Sequence, residues 1–356
     1  MSLKKHWPLI AAALLVLPAT VHAADVLDFS TFVSAAPIDA ASGSQGTIAF
    51  TYAGTQFIGS TYHSDQLYTT SLTGGSVTAF GTALPFAGDP GEVVIGASLG
   101  NGGFTNGAVF AGAENSTQIY KYAASGGTPT LFATLPVAAG VVRQIFFDPG
   151  STFGGNMLVS TTSGNIYEIT SGGAISLLAS VGEDTEGMDI APSTFGPYAG
   201  DLLVGSEGSG TLRLISPGGV VTVVGSVGEF PGAETVSAIP TTLDTTNPTE
   251  GFYVANYTAN IQFAAASDFT GSELGSVIVT DETGGSTAWD VTYSGGTFVK
   301  TAFTFTGNPI TQFEDGIFVT PERLSEGSPV PEPSSLLLLG TGLLGLGATL
   351  KRKFFA

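Results

Sequence analysis

The 356-residue chain reads as an all-β protein, a β-propeller of six four-stranded blades, and three observations predict it. The first is composition. Glycine accounts for 50 residues, about twice the usual ~7%, while charged residues make up only 11% against a usual ~25%. That balance suits a turn-rich β protein and argues against a helical bundle, which needs many Lys, Glu, Arg and Ala. At 43% hydrophobic the chain is also too apolar to be disordered. The second is a repeat. Val141–Val181 and Glu186–Val227 align so that Leu158 matches Leu203, Gly173 matches Gly219 and Val181 matches Val227, at offsets of 45, 46 and 46 residues. The third is that each unit carries four short strand signals, as a propeller blade requires.

Taken in order, the first unit is GTIAFTY, QFIGSTY, QLYTTSL and SVTAFGT. The second is GEVVIGASLG, GAVFAGAE, QIYKYAA and TPTLFATL, and the two aligned units follow. In the second of these the strands fall at Met188–Ala191, Asp201–Ser206, Thr211–Ser216 and Val220–Ser226, with Gly218-Gly219 at the last hairpin, where positive φ is needed. Next come ETVSAIP, GFYVANY, NIQFAAA and SVIVTDE as a fifth unit. TAWDVTY, TFVKTAF and ITQFEDGIFV form a sixth with only three strands. Asp25–Val33 supplies the missing strand and locks the ring, since an isolated blade leaves an apolar face and a free edge. Five or seven blades are open alternatives. A parallel β-helix would repeat at shorter intervals, and a β-sandwich would show no 46-residue self-similarity.

Both ends differ from this body. At the N-terminus Lys4 and Lys5 precede an apolar run, Leu9–Leu17, too short to span a bilayer. Small residues, Val21 and Ala23, then mark a cleavage site, so residues 1–23 read as a signal peptide and the mature chain begins at Ala24. The predicted propeller occupies residues 24–328. Residues 329–356 hold Val330-Pro331-Glu332-Pro333, an uncharged run at Leu336–Leu350 and the basic cluster Lys351-Arg352-Lys353. As a helix the run is ~22 Å long, short of the ~30 Å hydrocarbon core, and crosses only with snorkelling flanks. The basic cluster would keep the C-terminus cytoplasmic and the body outside.

This tripartite tail closely resembles the PEP-CTERM sorting signal of Gram-negative bacteria. The resemblance implies exosortase as a partner, transient residence in the inner membrane, removal of the tail near the Pro-Glu-Pro triplet, and release or surface attachment of the body. It also implies an association with exopolysaccharide producers. The alternative is an ordinary anchor that is never processed. Within the body, EGMDIAPSTFGPYAGDLLVGSEGSGTLRLISPGG resembles six-bladed propellers of the NHL and gluconolactonase-like group. It lacks the group's usual Asn-Gly and Asp-Gly signatures at matching places, so the fold alone is carried over.

Charge excludes some partners. Residues 24–328 carry five basic residues against 28 acids, a net of −23, which repels nucleic acid and anionic lipid. There is no cysteine, hence no disulfide, thiolate metal site or cysteine nucleophile. Only one histidine, His63, follows the signal peptide, and a surface hairpin position beside Asp65 suits it better than a catalytic role. No GxSxG elbow, HExxH, P-loop or EF-hand loop is present. No catalytic residue is therefore assigned.

One constellation stands out. Six residues before Pro149, Pro192 and Pro240 stand Arg143, Glu186 and Glu234, and Glu92 takes the corresponding place in the second unit. These positions start the innermost strands, so the four side chains should ring one mouth of the central channel. Three readings are open: solvated acids, an ion-pair cluster centred on Arg143, or a Ca²⁺ site built from Glu92, Glu186 and Glu234, Ca²⁺ being tolerant of flexible oxygen ligation. Phe146, Phe147, Tyr167, Phe252 and Phe263 read as core, and Trp289 as core rather than a sugar platform. The resulting expectation is an exported, non-catalytic binding or scaffolding protein of the cell surface or extracellular matrix, its partners an extracellular polysaccharide or surface protein. The alternatives are a metal-dependent hydrolase or lactonase acting at the channel mouth, and a matrix component with no specific ligand.

Overall fold

A computed structural model of the chain describes residues 26–320, except 45, 258, 259, 270, 272, 284 and 285. The signal peptide, its Ala23–Ala24 cleavage site and the predicted membrane helix at 336–350 lie outside the described residues, as do Val330, Pro331, Glu332 and Pro333.

The chain opens with β1 (Val26–Val33) and a short helix, α1 (Ala35–Ser42), ended by Gly43 in the left-handed conformation. The first blade is β2 (Thr47–Tyr52), β3 (Gln56–Thr61), β4 (Tyr68–Ser71) and β5 (Thr78–Ala79). The second is β6 (Val93–Ala97), β7 (Val109–Ala113), β8 (Gln118–Ala123) and β9 (Gly126–Thr134). The third is β10 (Val142–Phe147), β11 (Met157–Thr161), β12 (Asn165–Ile169) and β13 (Ile175–Ser180). The fourth is β14 (Met188–Ile190), β15 (Leu202–Gly205), β16 (Leu212–Ile215) and β17 (Val221–Val223). In these four blades consecutive strands pair as antiparallel meanders, as the sequence units predict.

The last two blades are wired differently from the expectation. After β18 (Ala233–Ala238) the chain leaves the fifth blade and forms β19 (Gly251–Asn256) and β20 (Asn260–Ala265) in the sixth. It then returns to complete the fifth blade with β21 (Val277–Asp281), β22 (Ala288–Ser294) and β23 (Thr297–Ala302). β24 (Thr304–Gly307) and β25 (Phe313–Val319) finish the sixth, whose order is β25-β19-β20-β1-β24. GFYVANY and NIQFAAA thus belong to the closing blade, not to the unit in which they stand. The physical reason is burial. Every residue of β19 is buried, so it needs a strand on each side and a blade on each face. β25 and β20 provide the strands.

β1 closes the ring as expected, pairing antiparallel with β20 (Ser30 opposite Phe263) and parallel with β24 (Val26 opposite Thr304). The sixth blade therefore has five strands rather than four. The inner strands β2, β6, β10, β14, β18 and β25 follow one another around the axis, and β25 packs against β2. Between blades the facing surfaces interlock through aromatic side chains. Phe104, Phe110, Phe132 and Phe147 pack edge-on between the second and third blades. Phe32, Phe50, Phe57 and Tyr253 join the first and sixth. Each fully buried ring contributes roughly 1.5–3 kcal/mol relative to an exposed one. Close approach also sets the turns. At Gly219 the chain has φ 78°, and a Cβ there would lie 2.3 Å from the Leu178 carbonyl oxygen of the neighbouring blade.

Of the predicted core residues, Phe147, Tyr167 and Phe252 are buried. Phe146 and Phe263 are half-buried and pack against core clusters, and Phe146 also borders the central channel.

Candidate functional site at the channel mouth

Six inner strands run in the same direction along the axis, so their first residues meet at one mouth. Glu92, Arg143, Glu186, Glu234 and Glu314 come from blades two to six, each at or within two residues of its inner strand's start. Strand alternation alone would send some of these side chains into the blades. Register shifts correct this, lying between Val142 and Gln144, between Ala233 and Val236, and where Gly316 and Phe313 oppose Val254 and Asn256. A β-bulge of this kind re-aims the local side chain. The second strands end at the same mouth and build an outer ring of Tyr62, Glu114, Thr162, Glu207, Glu282 and Tyr257.

Arg143 stands at the centre, 5% exposed. Its Nη1 donates to Glu92 Oε2 at 2.6 Å and to Glu114 Oε1 at 2.8 Å. Its Nη2 donates to Glu207 Oε2 at 2.6 Å and lies 2.6 Å from Glu186 Oε1. Nε pairs with Asp184 Oδ1 at 3.3 Å, without hydrogen-bond geometry. The sequence-predicted Glu92, Arg143 and Glu186 are thus in direct contact. Glu234 joins through its carboxyl, which lies within hydrogen-bonding reach of Glu186. Sequence reasoning missed Glu114, Asp184, Glu207, Glu282 and Glu314. The signal for three of them was the residue following the second strand of each unit, and for Glu314 the inner strand ITQFEDGIFV.

One guanidinium cannot balance eight carboxyls, and their proton affinities show it. Burial would draw the Arg143 proton off, but Glu186, Glu92, Asp184 and Glu234 together hold it on more firmly than in water. Glu186 and Glu234 are pushed well above the carboxylate range, mainly by burial. Burial, then the charges of Glu92, Glu186 and Glu282, pushes Glu314 up to about 10. Glu282 rises to about 7 through burial and Glu207. Two facing carboxyls such as Glu186 and Glu234 hold either a proton or a cation between them.

Below the mouth the channel narrows to a cavity of about 70 Å³ lined by residues including Gln144, Phe146, Asp189 and Asp315. Gln144 Nε2 donates to Asp315 Oδ1 at 3.3 Å. Burial pushes the Asp315 carboxyl up to about 7, against the hydrogen bonds it accepts from Gln144 and from the Gly316 and Phe50 backbones.

Ca²⁺ at Glu92, Glu186 and Glu234 meets an obstacle in this arrangement. The Arg143 guanidinium occupies the space between Glu92 and Glu186. Among the described residues no three Asp, Glu or His side chains converge in a geometry able to hold a metal ion. The remaining sequence candidates lie elsewhere. His63 is exposed and pairs with Asp89 at 2.7 Å, not with Asp65. Trp289 packs edge-on to Phe230 under the Lys300 ammonium.

Comparison with known proteins bears on the tail first. Residues 329–353 match the PEP-CTERM protein-sorting motif. Such a motif implies export, anchoring in the membrane before processing, and exosortase as the processing partner. Among the described residues no helix is long and apolar enough to cross a membrane. No curated protein matches the chain in sequence. The body is similar in fold to regucalcin, a calcium-binding protein of Agrobacterium tumefaciens, at 13% identity and TM-score 0.52, covering 85% of each chain. It is also similar to a putative gluconolactonase at 11% identity and TM-score 0.48, covering 81% of this chain and 90% of that one. At such identities the likeness concerns the propeller fold.

Proposed function

We propose that the protein is an exported propeller that works without catalysis, as a binding or scaffolding module of the cell surface or extracellular matrix, and that the channel mouth is where it engages its ligand. The observation that carries this reading is the charge imbalance of the mouth, where Arg143 is saturated by five carboxylates while Glu234, Glu282 and Glu314 have no ion-pair partner among the described residues. Such a surface favours a ligand that brings positive charge or many hydroxyl donors, and an acidic extracellular polysaccharide would need a bridging cation. The sorting motif supports the location, with tail removal near the Pro-Glu-Pro triplet and retention or release of residues 24–328.

The rival reading, a metal-dependent hydrolase or lactonase, draws on the calcium-binding and lactonase names of the fold neighbours and on the raised carboxyls, which are suited to general-acid work. Binding of the mature protein to polysaccharide from its own host separates the two. The binding module gives saturable retention that Glu314→Gln and Glu234→Gln weaken, with no turnover of lactones in Ca²⁺. Lactone turnover that Glu186→Gln abolishes would overturn the proposal.

A further inference from the structure

On the face of the disc opposite the acidic mouth, the hairpins joining the third and fourth strands of blades one and two each border a groove. The groove on blade two has a volume of about 410 Å³, within the ~300–1,000 Å³ of small-ligand pockets. Thr105, Lys121, Thr128 and Thr130 line it over a floor that includes Ala108 and Ala123. The groove on blade one, about 280 Å³, is lined by hydroxyl and amide side chains that include Thr55, Gln56, Thr69, Ser76 and Thr78. The two occupy equivalent places, since Thr69 faces Thr78 in blade one as Lys121 faces Thr130 in blade two. They are also neighbours. Gln56 Nε2, in the first groove, donates at 3.1 Å to the carbonyl of Ala124, which lines the second. Their walls are preformed. Gly107, at φ 72°, lets the loop that carries Thr105 close against the hairpin, where a Cβ would lie 3.0 Å from Ala124 Cβ. Asn101 Nδ2 ties the same loop to the Pro149 carbonyl of the third blade at 2.9 Å.

Lys121 sets this surface apart from the rest of the body. Among the described residues Arg143 is held by five carboxylates, Arg213 by Glu183, and Lys300 bonds the Glu229 carbonyl. Lys121 has no ion-pair partner among them, although residues 24–328 carry 28 acids. Its Nζ lies 5.6 Å from the centre of the fully buried Phe110 ring, which fixes the ammonium beside the groove. The charge is particular to this blade. Aligning QIYKY with NIYEI and QLYTT puts Lys121 where blade three carries Glu168 and blade one Thr69. The lining of both grooves is free of acids. The hydroxyls of Thr55, Ser76, Thr78, Thr105 and Thr128 make no hydrogen bond within the described protein, so they are available to a ligand.

We propose that the two grooves form one binding surface for a carboxylated sugar polymer, with a pyranose carboxylate on Lys121 and ring hydroxyls on the Thr and Ser side chains. This surface lies across the disc from the mouth and does not depend on it. Charge complementarity selects the class. One ammonium takes one carboxylate, while the acidic body repels a dense polyanion such as nucleic acid. Sugar hydroxyls both donate and accept, as do the side-chain hydroxyls that meet them. The apolar face of a pyranose ring then covers the alanine floor.

The test is calorimetric titration of the mature protein with a galacturonate oligomer at fixed ionic strength, with a neutral xylose oligomer and a polyglutamate peptide of equal length as comparisons. Saturable binding of the galacturonate is expected, at least ten-fold weaker in Lys121→Glu and about two- to five-fold weaker in Thr78→Val, which leaves the charge untouched. Lys121→Glu installs the residue that blade three carries at the same place, so thermal unfolding should show an intact fold. Lys121→Arg keeps the charge and should keep the binding. No saturable galacturonate binding, or binding indifferent to Lys121→Glu, overturns the proposal. Equally tight binding of polyglutamate overturns the sugar class, and equally tight binding of the xylose oligomer overturns the role of the carboxylate. Indifference to Thr78→Val overturns the union of the two grooves. Galacturonate binding should be unchanged in Glu314→Gln, and weakening there would place the ligand at the mouth and overturn this site.

Discussion

Removing the Arg143 side chain is the sharpest perturbation available. Its partners divide by exposure. The Glu186 side chain is 6% exposed and Glu92 20%, whereas Glu114, Asp184 and Glu207 are about a third exposed, at 35%, 29% and 31%. Ion pairs to the exposed three are worth roughly 0–1 kcal/mol each. Stranding Glu186 and Glu92 without their cation dominates, since breaking a buried pair by removing one partner costs about 3–5 kcal/mol. At about 2–4 °C per kcal/mol, Arg143→Ala should lower the melting temperature by roughly 6–20 °C at pH 7.5. The effect has a signed pH dependence. Without the guanidinium the buried acids hold protons still more firmly in the folded state than in the unfolded one. Stability is then retained below the ordinary carboxylate range and lost as pH rises, so the deficit should shrink towards pH 5. Arg143→Lys keeps the charge but loses the forked donors, and should fall between. Paired urea melts at pH 5 and 7.5 read this directly. A deficit under about 1 kcal/mol at pH 7.5, or one that does not change with pH, would refute the view of Arg143 as the internal counter-ion.

Three further outcomes follow from the same structure. Glu314→Gln should stabilise the protein, because the wild-type carboxyl is raised to about 10 and its ionisation in the unfolded chain costs stability as pH climbs from about 4.5. The gain should grow with pH by up to about 1.4 kcal/mol per unit, and melts across pH 5–9 check it. Deleting Val26–Val33 uncovers β20 and β24 at once, so the truncated protein should melt markedly lower and expose a sheet edge; an unchanged melting temperature would disprove the closure role. Intact-mass analysis of protein from an exosortase-positive host should give an N-terminus at Ala24 and a C-terminus near Pro331–Ser335, and recovery of Lys351–Lys353 would contradict it.

What the sequence disclosed, and what it hid, follows from how local each feature is. Blades one to four were legible strand by strand, since their meanders keep paired strands adjacent in the chain. The exchange of β19 and β20 into the sixth blade was not legible, because a strand signal records a residue's own burial and not which sheet offers it an edge. The convergence of Glu92, Arg143, Glu186 and Glu234 was readable from a repeat offset, as symmetry turns equal positions in sequence into one ring in space. Glu314 escaped because its unit showed only three strands and the proline after its strand, Pro321, stands seven residues on rather than six. The bulges that swing Arg143 and Glu234 towards the axis have no signature in residue type, so the depth of the cluster and its saturation of Arg143 came only from the structure. Asp315, beside a bulge, looked like an ordinary polar residue of a strand and instead lies in the channel.

The wiring of the closing blade also sets how the site is presented while the sorting tail is attached. β25 begins at the acidic mouth with Glu314 and ends at Val319 on the opposite face, close to the axis because it is an inner strand. The sorting motif starts at residue 329. The link from Thr320 to the apolar run that begins at Leu336 is about sixteen residues, ~55 Å at full extension. A seven-residue strand makes the disc ~23 Å deep, and four more strands at ~4.8 Å put its edge ~20 Å from the inner strand. A path from the exit point around the edge to the mouth is over ~40 Å, which only a nearly extended link covers, against an ordinary coil span of ~20 Å. An uncleaved, membrane-held protein should then favour a mouth turned away from the bilayer, since the reverse orientation would cost the link most of its conformational entropy. The chain has no cysteine, so single-cysteine variants can report this without background. A fluorophore at Thr162→Cys, on the mouth, should be quenched by aqueous iodide and spared by a lipid-borne quencher. One at Gly150→Cys, beyond the other end of β10, should show the greater lipid quenching. Equal lipid quenching at the two positions would rule out the favoured orientation.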